Sequence, residues 1–209
     1  MGNSKLFTPV TFGPLTLRNR TIRSAAFESM CPGNAPSDML LDYHRSVAAG
    51  GIGMTTVAYA AVTRSGLSFD RQLWMRPEII PGLRELTDAI HAEGAAAGIQ
   101  LGHCGNMSHK SICGCTPVGA SGGFNLYSPT FVRGLRADEL PEMARAYGRS
   151  VNLAREAGFD AVEIHAGHGY LISQFLSPST NHRKDEFGGS LQNRMRFMDM
   201  VMEEVMKAA

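Results

Sequence analysis

The chain has little that would tie it to a charged partner or to a membrane. Its 20 Lys and Arg against 19 Asp and Glu leave a formal net charge of +1 over 209 residues, so no electrostatic case exists for nucleic acid or an anionic lipid surface. No apolar run approaches the roughly 20 residues needed to span a bilayer. The N-terminal MGNSKLFTPV lacks the apolar core of a secretory signal, and Leu6 stands where a myristoylation site carries Ser or Thr. Cysteine is sparse: four residues, at 31, 104, 113 and 115, do not make a disulfide framework in a chain this size. Three of them lie within twelve residues, near His103 and His109, which keeps a metal site open as the alternative to free thiols. The Cys113-Gly114-Cys115 spacing, however, is neither that of a zinc ribbon nor that of a CxxC redox pair. These absences lead to the expectation of a soluble, cytoplasmic protein without metal that acts on a small molecule.

What is present is an alternation of strand-like and helix-like segments, the pattern of an α/β fold with a parallel sheet. Residues 10–17 read as a hairpin turning at Gly13-Pro14. Strands follow at 21–26, 52–58, 96–101 and 159–165, each nearly continuous in apolar character, as expected when both faces are covered. Helices are expected at 39–49, capped by Ser37 or Asp38, at 77–93 with Pro77 near its start, and at 138–157. A short helix at 171–176 and a last one from Leu191, capped by Ser190, finish the chain. Residues 102–136 read as a loop rich in Gly, Ser and Pro, too long for a plain connection and therefore functional.

The most informative stretch is HAGHGYLISQFLSPSTNHRKDEFGGSLQNR, residues 165–194. It places His165, His168 and Tyr170 just past the fourth strand, with Gly169 allowing a tight turn. Two imidazole N–H donors converging on one point can hold a carbonyl or phenolate oxygen as charge develops on it. A nearby phenol can pass a proton to a neighbouring carbon. That combination suits reduction of an activated alkene, but no side chain donates hydride, so an organic cofactor must stand beside it. HxxH alone also fits metal binding or packing; the longer string carries the argument.

That string resembles the signature of the Old Yellow Enzyme family of FMN-dependent NAD(P)H:flavin oxidoreductases. The matching positions include His165, His168, Gly169, Tyr170, Gln174, Pro178, Asn181, Arg183, Asp185, Gly188, Gly189, Asn193 and Arg194. The resemblance implies a (β/α)8 TIM barrel with an N-terminal hairpin lid. It covers essentially all of this chain, residues 1–209, while the chain covers only the first half of such a barrel: a lid at 1–20 and about four βα units at 21–209. It further implies FMN as cofactor and NAD(P)H as reductant. An α,β-unsaturated carbonyl or enoyl substrate would place its oxygen on His165 and His168, and Tyr170 would protonate its α-carbon.

Three further segments carry the resemblance. Ala25, Ala26 and Phe27, in RSAAFE, match the first-strand segment that lies against the flavin, where short side chains let backbone approach a flat ring. The family often has Pro-Met-Thr/Cys there, and this sequence does not; that potential-tuning contact is replaced by Phe27 or supplied otherwise. Ala58 and Tyr59 match the contact at the isoalloxazine edge. Gln100, in GIQLGHCG, matches a carboxamide able to donate and accept at the flavin pyrimidine. His165 also lies on this cofactor face. Asn106 stands where the family usually has Arg. Arg183, Asp185 and Arg194 read as a loop-fixing network. RSAAFE and QLGHCGNMSH are closer to the enoate and dienoyl-CoA reductase branch, some members of which carry an iron–sulfur cluster further along. The phosphate site of such barrels forms from loops after strands seven and eight.

A rival reading from another class is a non-catalytic half-barrel acting as an oligomerising or interaction module with residual flavin binding. Its first and fourth strands would expose edges unless paired. The expected partners are accordingly a second copy of the chain, in a homo-oligomer, or a C-terminal half, with no nucleic acid and no membrane.

Overall fold

The computed structural model describes residues 4–209; residues 1–3 of the expected lid lie outside the described residues. The hairpin forms as read: β1 (Val10–Phe12) pairs antiparallel with β2 (Leu15–Leu17), Val10 opposite Leu17, around Gly13 at φ +55°. Arg18 fixes its position by donating to the carbonyls of Ala48, Ile52 and Glu93. All three belong to helix ends or a strand entry, so the hairpin braces the face where the sheet's strands begin.

Four strands, β3 (Ile22–Arg23), β4 (Met54–Ala61), β5 (Ala96–Gly102) and β9 (Ala161–Ile164), form a parallel sheet in that spatial order. Helices α1 (Asp38–Ala49), α2 (Ile80–Ala92) and α4 (Leu140–Glu156) follow the first three strands. The Ser37 side chain caps α1 by accepting from Leu40 N–H, and Gly51, Gly94 and Gly158 leave the helices at positive φ, the left-handed exit that costs glycine least. Leu40, Leu83, Leu86, Ile90, Leu140 and Tyr147 from the helices pack on Val57, Ala97, Ile99 and Leu101 from the strands, all buried in one core. After β9 come the short α5 (Leu171–Leu176) and α6 (Leu191–Ala208); α6 is capped by Ser190 as read and inserts Phe197, Val201 and Val205 into that core. It crosses α4 at Gly148, where a Cβ would stand 2.9 Å from the Glu204 carbonyl oxygen. The sheet does not close on itself, and β3 and β9 are its edges.

The structure corrects several expected bounds. The first strand pairs over two residues rather than 21–26, because the Arg23 guanidinium folds back onto Glu28 and the Ala26 carbonyl and bends the segment away. The second strand runs on to Ala61, and the fourth is limited to Ala161–Ile164. The expected loop at 102–136 is not structureless. It holds the four-residue α3 (Lys110–Cys113) and a small sheet of β6 (Val118–Gly119), β7 (Gly123–Asn125) and β8 (Thr130–Gly134) in the order β6-β8-β7. Strands this short and glycine-rich carry no period-2 signal. Among the described residues no helix is long and apolar enough to cross a membrane.

Candidate active site

The C-terminal ends of β4, β5 and β9 supply the site. Along β4 the register with β5 shifts between Val57, opposite Ile99, and Ala60, opposite Leu101. One extra residue on β4 makes a bulge at Ala58 and Tyr59, a device that re-aims side chains. The Tyr59 ring then meets His165 edge-on at 5.7 Å between centroids and Tyr170 at 5.4 Å. Its hydroxyl lies within hydrogen-bond reach of Gly66 O and Ser68 Oγ. Burial holds this phenol well above its ordinary range.

His165 follows β9 directly, its N–H bonded to Leu101 O on the neighbouring strand. The chain then turns through His168 (φ +55°) and Gly169 (φ +68°); a left-handed conformation is uncommon for a non-glycine residue and is held here by its surroundings. The Gln174 carboxamide fastens the turn, reaching Gly169 O at 2.7 Å, Asn106 Oδ1 at 2.9 Å and Cys104 O at 3.2 Å. The result brings the three expected chemical residues together. Ring centroids of His165 and His168 are 4.9 Å apart, and that of Tyr170 lies 4.8 Å from His165 and 6.3 Å from His168. His168 Nδ1 is 3.0 Å from His165 Nε2, and Gly167 N–H points at His165 Nδ1. Burial, then the neighbouring His168, lower the pKa of His165; burial raises that of the Tyr170 phenol. At neutral pH the site therefore presents an uncharged His165 and a protonated phenol.

The remaining expected residues sort by environment. Ala58 and Tyr59 are buried in a small cluster against which Ala25 and Tyr170 pack, and Ala26 is exposed beside it. Phe27 stacks on Phe69 at 4.7 Å between centroids. Gln100, read as aimed at a cofactor, donates from Nε2 to Glu163 Oε1 at 2.6 Å across the β5–β9 pair. The loop-fixing reading of the cations matches their bonds: Arg183 grips Asp185 and the Ala120 and Leu135 carbonyls, and Arg194 binds the Leu176 and Gly189 carbonyls. Asn106, where the family usually has Arg, is tied to Gln174 and to Asn125. Among the described residues no three His, Cys, Asp or Glu side chains are grouped to hold a metal.

Two residues that fall within the matching segments, Glu28 and His103, turn out to be supports, a role the sequence did not show. Glu28 accepts from Arg23 at 2.8 Å and from Ala58 N–H at 3.2 Å, fixing the Ala25–Ala26 segment to the bulge; it stood in plain sight in RSAAFE. His103, fully buried, accepts from Gly105 N–H and pairs with Ser65 Oγ through Nε2, and its carbonyl receives Leu171 N–H. Burial lowers its pKa to about 3, so it is a neutral strut beneath Tyr170. Beside His168 opens a cleft of about 500 Å³, walled by Asn106, Phe124, Tyr127, Thr180 and His182 among others.

Residues 5–209 match the sequence model of the NADH:flavin oxidoreductase / NADH oxidase family. The chain belongs to this family. Within it, the chain is 42% identical over 98% of its length to the 4,4'-dithiodibutanoate disulfide reductase of Rhodococcus erythropolis, covering 51% of that protein. It is 37% identical to the NADPH dehydrogenase of Bacillus subtilis (strain 168), over 96% of this chain and 60% of the relative. The fold superposes on the Old Yellow Enzyme homologue of Zymomonas mobilis with a TM-score of 0.91 at 30% identity, over 98% of this chain and 60% of that one. The chain thus spans about half to three fifths of the length of these three proteins. The open sheet described above corresponds to one part of an Old Yellow Enzyme barrel. The family's members use FMN, with NAD(P)H as reductant.

Proposed function

We propose that the chain forms the oxyanion-binding and proton-donating part of an FMN-dependent ene-reductase in the cytoplasm. The observation that carries this reading is the clustering of His165, His168 and Tyr170 at the end of β9, beside an open cleft. The residues present fit an isoalloxazine. Gln100 gives one end of its carboxamide to Glu163 and leaves its carbonyl oxygen free among the described residues, as an edge that both donates and accepts requires. Short side chains at Ala25, Ala26 and Ala58 let the backbone come close to a flat ring, and Phe27 stacks on Phe69 beside them.

Bound FMN supplies hydride drawn from NAD(P)H. The protein's part is to hold an α,β-unsaturated carbonyl by its oxygen on the two imidazoles, which stabilises charge moving onto that oxygen. Tyr170, kept protonated by burial, gives its proton to the α-carbon. Stopped-flow measurement of both half-reactions in the full-length protein tests this. Tyr170→Phe should slow alkene reduction and leave cofactor reduction by NAD(P)H nearly unchanged. Equal slowing of both half-reactions would remove Tyr170 from this role.

A second reading, an interaction module without turnover, rests on the two open edges β3 and β9. Purified full-length protein that carries no flavin and takes none up would favour it.

A further inference from the structure

Cys113 and Cys115 take no part in the cluster above, yet they face each other. Their sulfurs lie 3.7 Å apart, with the Cys115 S–H directed at Cys113 Sγ and the Cys113 S–H at the Cys115 carbonyl, 3.2 Å away. Gly114, at φ 75° and ψ 5°, ends α3 in the left-handed conformation and doubles the chain back; in extended chain, side chains two residues apart share a face but stand roughly 6–7 Å apart. The pair is asymmetric. Cys113 is 2% exposed, whereas Cys115 is open to solvent on the wall of a second cleft of about 560 Å³. That cleft lies between Thr63–Ser65, β8 and α4 and shares no lining residue with the imidazole cleft.

We propose that Cys115 and Cys113 form a thiol–disulfide exchange site for small organic disulfides. Cys115 is the attacking sulfur because it alone of the pair meets solvent, and Cys113 is the resolving sulfur behind it. The Arg64 guanidinium lies over Gly114, within 3.2 Å of where a Cβ would be. It makes no hydrogen bond or ion pair among the described residues, whereas Arg133 and Arg149 on the same cleft are paired with Glu139 and Glu142. Arg64 is therefore the cation free to favour a thiolate at Cys115. Burial and the adjacent Cys113 hold the Cys115 thiol above its usual range, and Arg64 and Arg133 oppose them. The other two thiols are sealed off: burial pushes both Cys31 and Cys104 up to about 12.

The exchange balances in two displacements. The Cys115 thiolate attacks one sulfur of RSSR, forming Cys115–S–S–R and expelling RS⁻. The Cys113 thiolate then attacks Cys115 Sγ, closing the 3.7 Å gap to the roughly 2.05 Å of a disulfide and expelling the second RS⁻. Two protons from the cysteines end on the two RSH products. The disulfide RSSR is reduced by two electrons, and the pair is oxidised by two. A small dithiol restores the pair by the reverse exchange, leaving as its own cyclic disulfide.

The test uses 5,5'-dithiobis(2-nitrobenzoate) on the full-length protein at pH 8, scored against the Cys113→Ser/Cys115→Ser double variant. The expected result is two extra equivalents of coloured thiol, with tryptic peptide 111–133, which holds both cysteines, lighter by two hydrogens and free of adduct. Cys113→Ser should release one extra equivalent and keep the nitrobenzoate adduct on Cys115. Cys115→Ser should release none on the same timescale. A wild-type peptide that retains the adduct or stays unmodified, or a Cys115→Ser variant that reacts as fast as wild type, would overturn the proposal. The trapped adduct in Cys113→Ser is a positive signal that does not depend on loss of function.

Discussion

His165 and His168 are hydrogen-bonded to each other, and the bond orders their protons. Gly167 N–H points at His165 Nδ1, which must accept, so His165 carries its proton on Nε2 and donates to His168 Nδ1. His168 is then protonated on Nε2, the nitrogen left for a ligand. This tautomer order is assigned from the partners. It makes the two imidazoles unequal: His168 offers a donor at once, while His165 offers one only when a ligand oxygen replaces its partner.

The inequality predicts the response to substitution. His168→Ala should weaken binding of a phenol and slow alkene reduction by roughly 10²–10³, the usual cost of losing one such donor. His168→Asn keeps an N–H and should lose clearly less phenol affinity than His168→Ala. Titrating phenol into the full-length variants and following the charge-transfer absorbance decides it. Equal loss in both would show that the imidazole is needed for something other than its donor.

A pH dependence of stability follows from His103. Its folded pKa is lowered to about 3 from 6.5, so the unfolded chain binds the proton first. Stability is present in full above pH 6.5 and falls as pH drops from there toward the folded value, by up to about 1.4 kcal/mol per pH unit for this one group. Urea midpoints at pH 7.5, 6 and 5 should decline, and His103→Gln should flatten the decline. A slope unchanged in the variant would assign the effect to other groups.

Gly105→Ala should destabilise strongly. Gly105 has φ +64°, and a Cβ there would stand 2.4 Å from the Gln174 carboxamide. A left-handed alanine costs about 1–2 kcal/mol and the overpacking about 1–3 kcal/mol. Gln174→Ala in the same chain should recover the second part only, giving a favourable coupling in a double-mutant cycle. Purely additive losses would mean that the two residues do not press on each other.

The edges β3 and β9 predict association. The chain of residues 1–209 on its own should sediment as a dimer or larger species, because unpaired strand edges recruit one another. A monodisperse monomer with one cooperative unfolding transition would count against this.

The sequence made the grouping of the candidate residues legible and hid much of the geometry around them. The string from His165 to Arg194 told which side chains come together, because one turn and one short helix dictate their order. It could not show that Gln100 pairs with Glu163: that contact depends on the register of β5 against β9, between residues 63 positions apart. Nor could it show the bulge at Ala58 and Tyr59, since an extra residue in a continuous apolar strand leaves no local mark. The first strand was read too long because apolar pattern alone cannot sense Arg23 turning back to Glu28. The CxC spacing at Cys113 argued against familiar metal and redox motifs, and only the left-handed Gly114 makes the sulfurs neighbours.

Arg18 binds the carbonyls of Ala48, Ile52 and Glu93, and this changes where the repeating units of the fold can be cut. By pattern, the first unit starts at β3 and everything before it is an ornament that could be exchanged or trimmed. By bonding, the ends of α1 and α2 and the entry to β4 share one guanidinium that lies before β3. A recombination joint placed at residue 20 would separate that cation from the helices that use it. A chimaera of this chain with another barrel keeps its floor only if the hairpin travels with the units it braces.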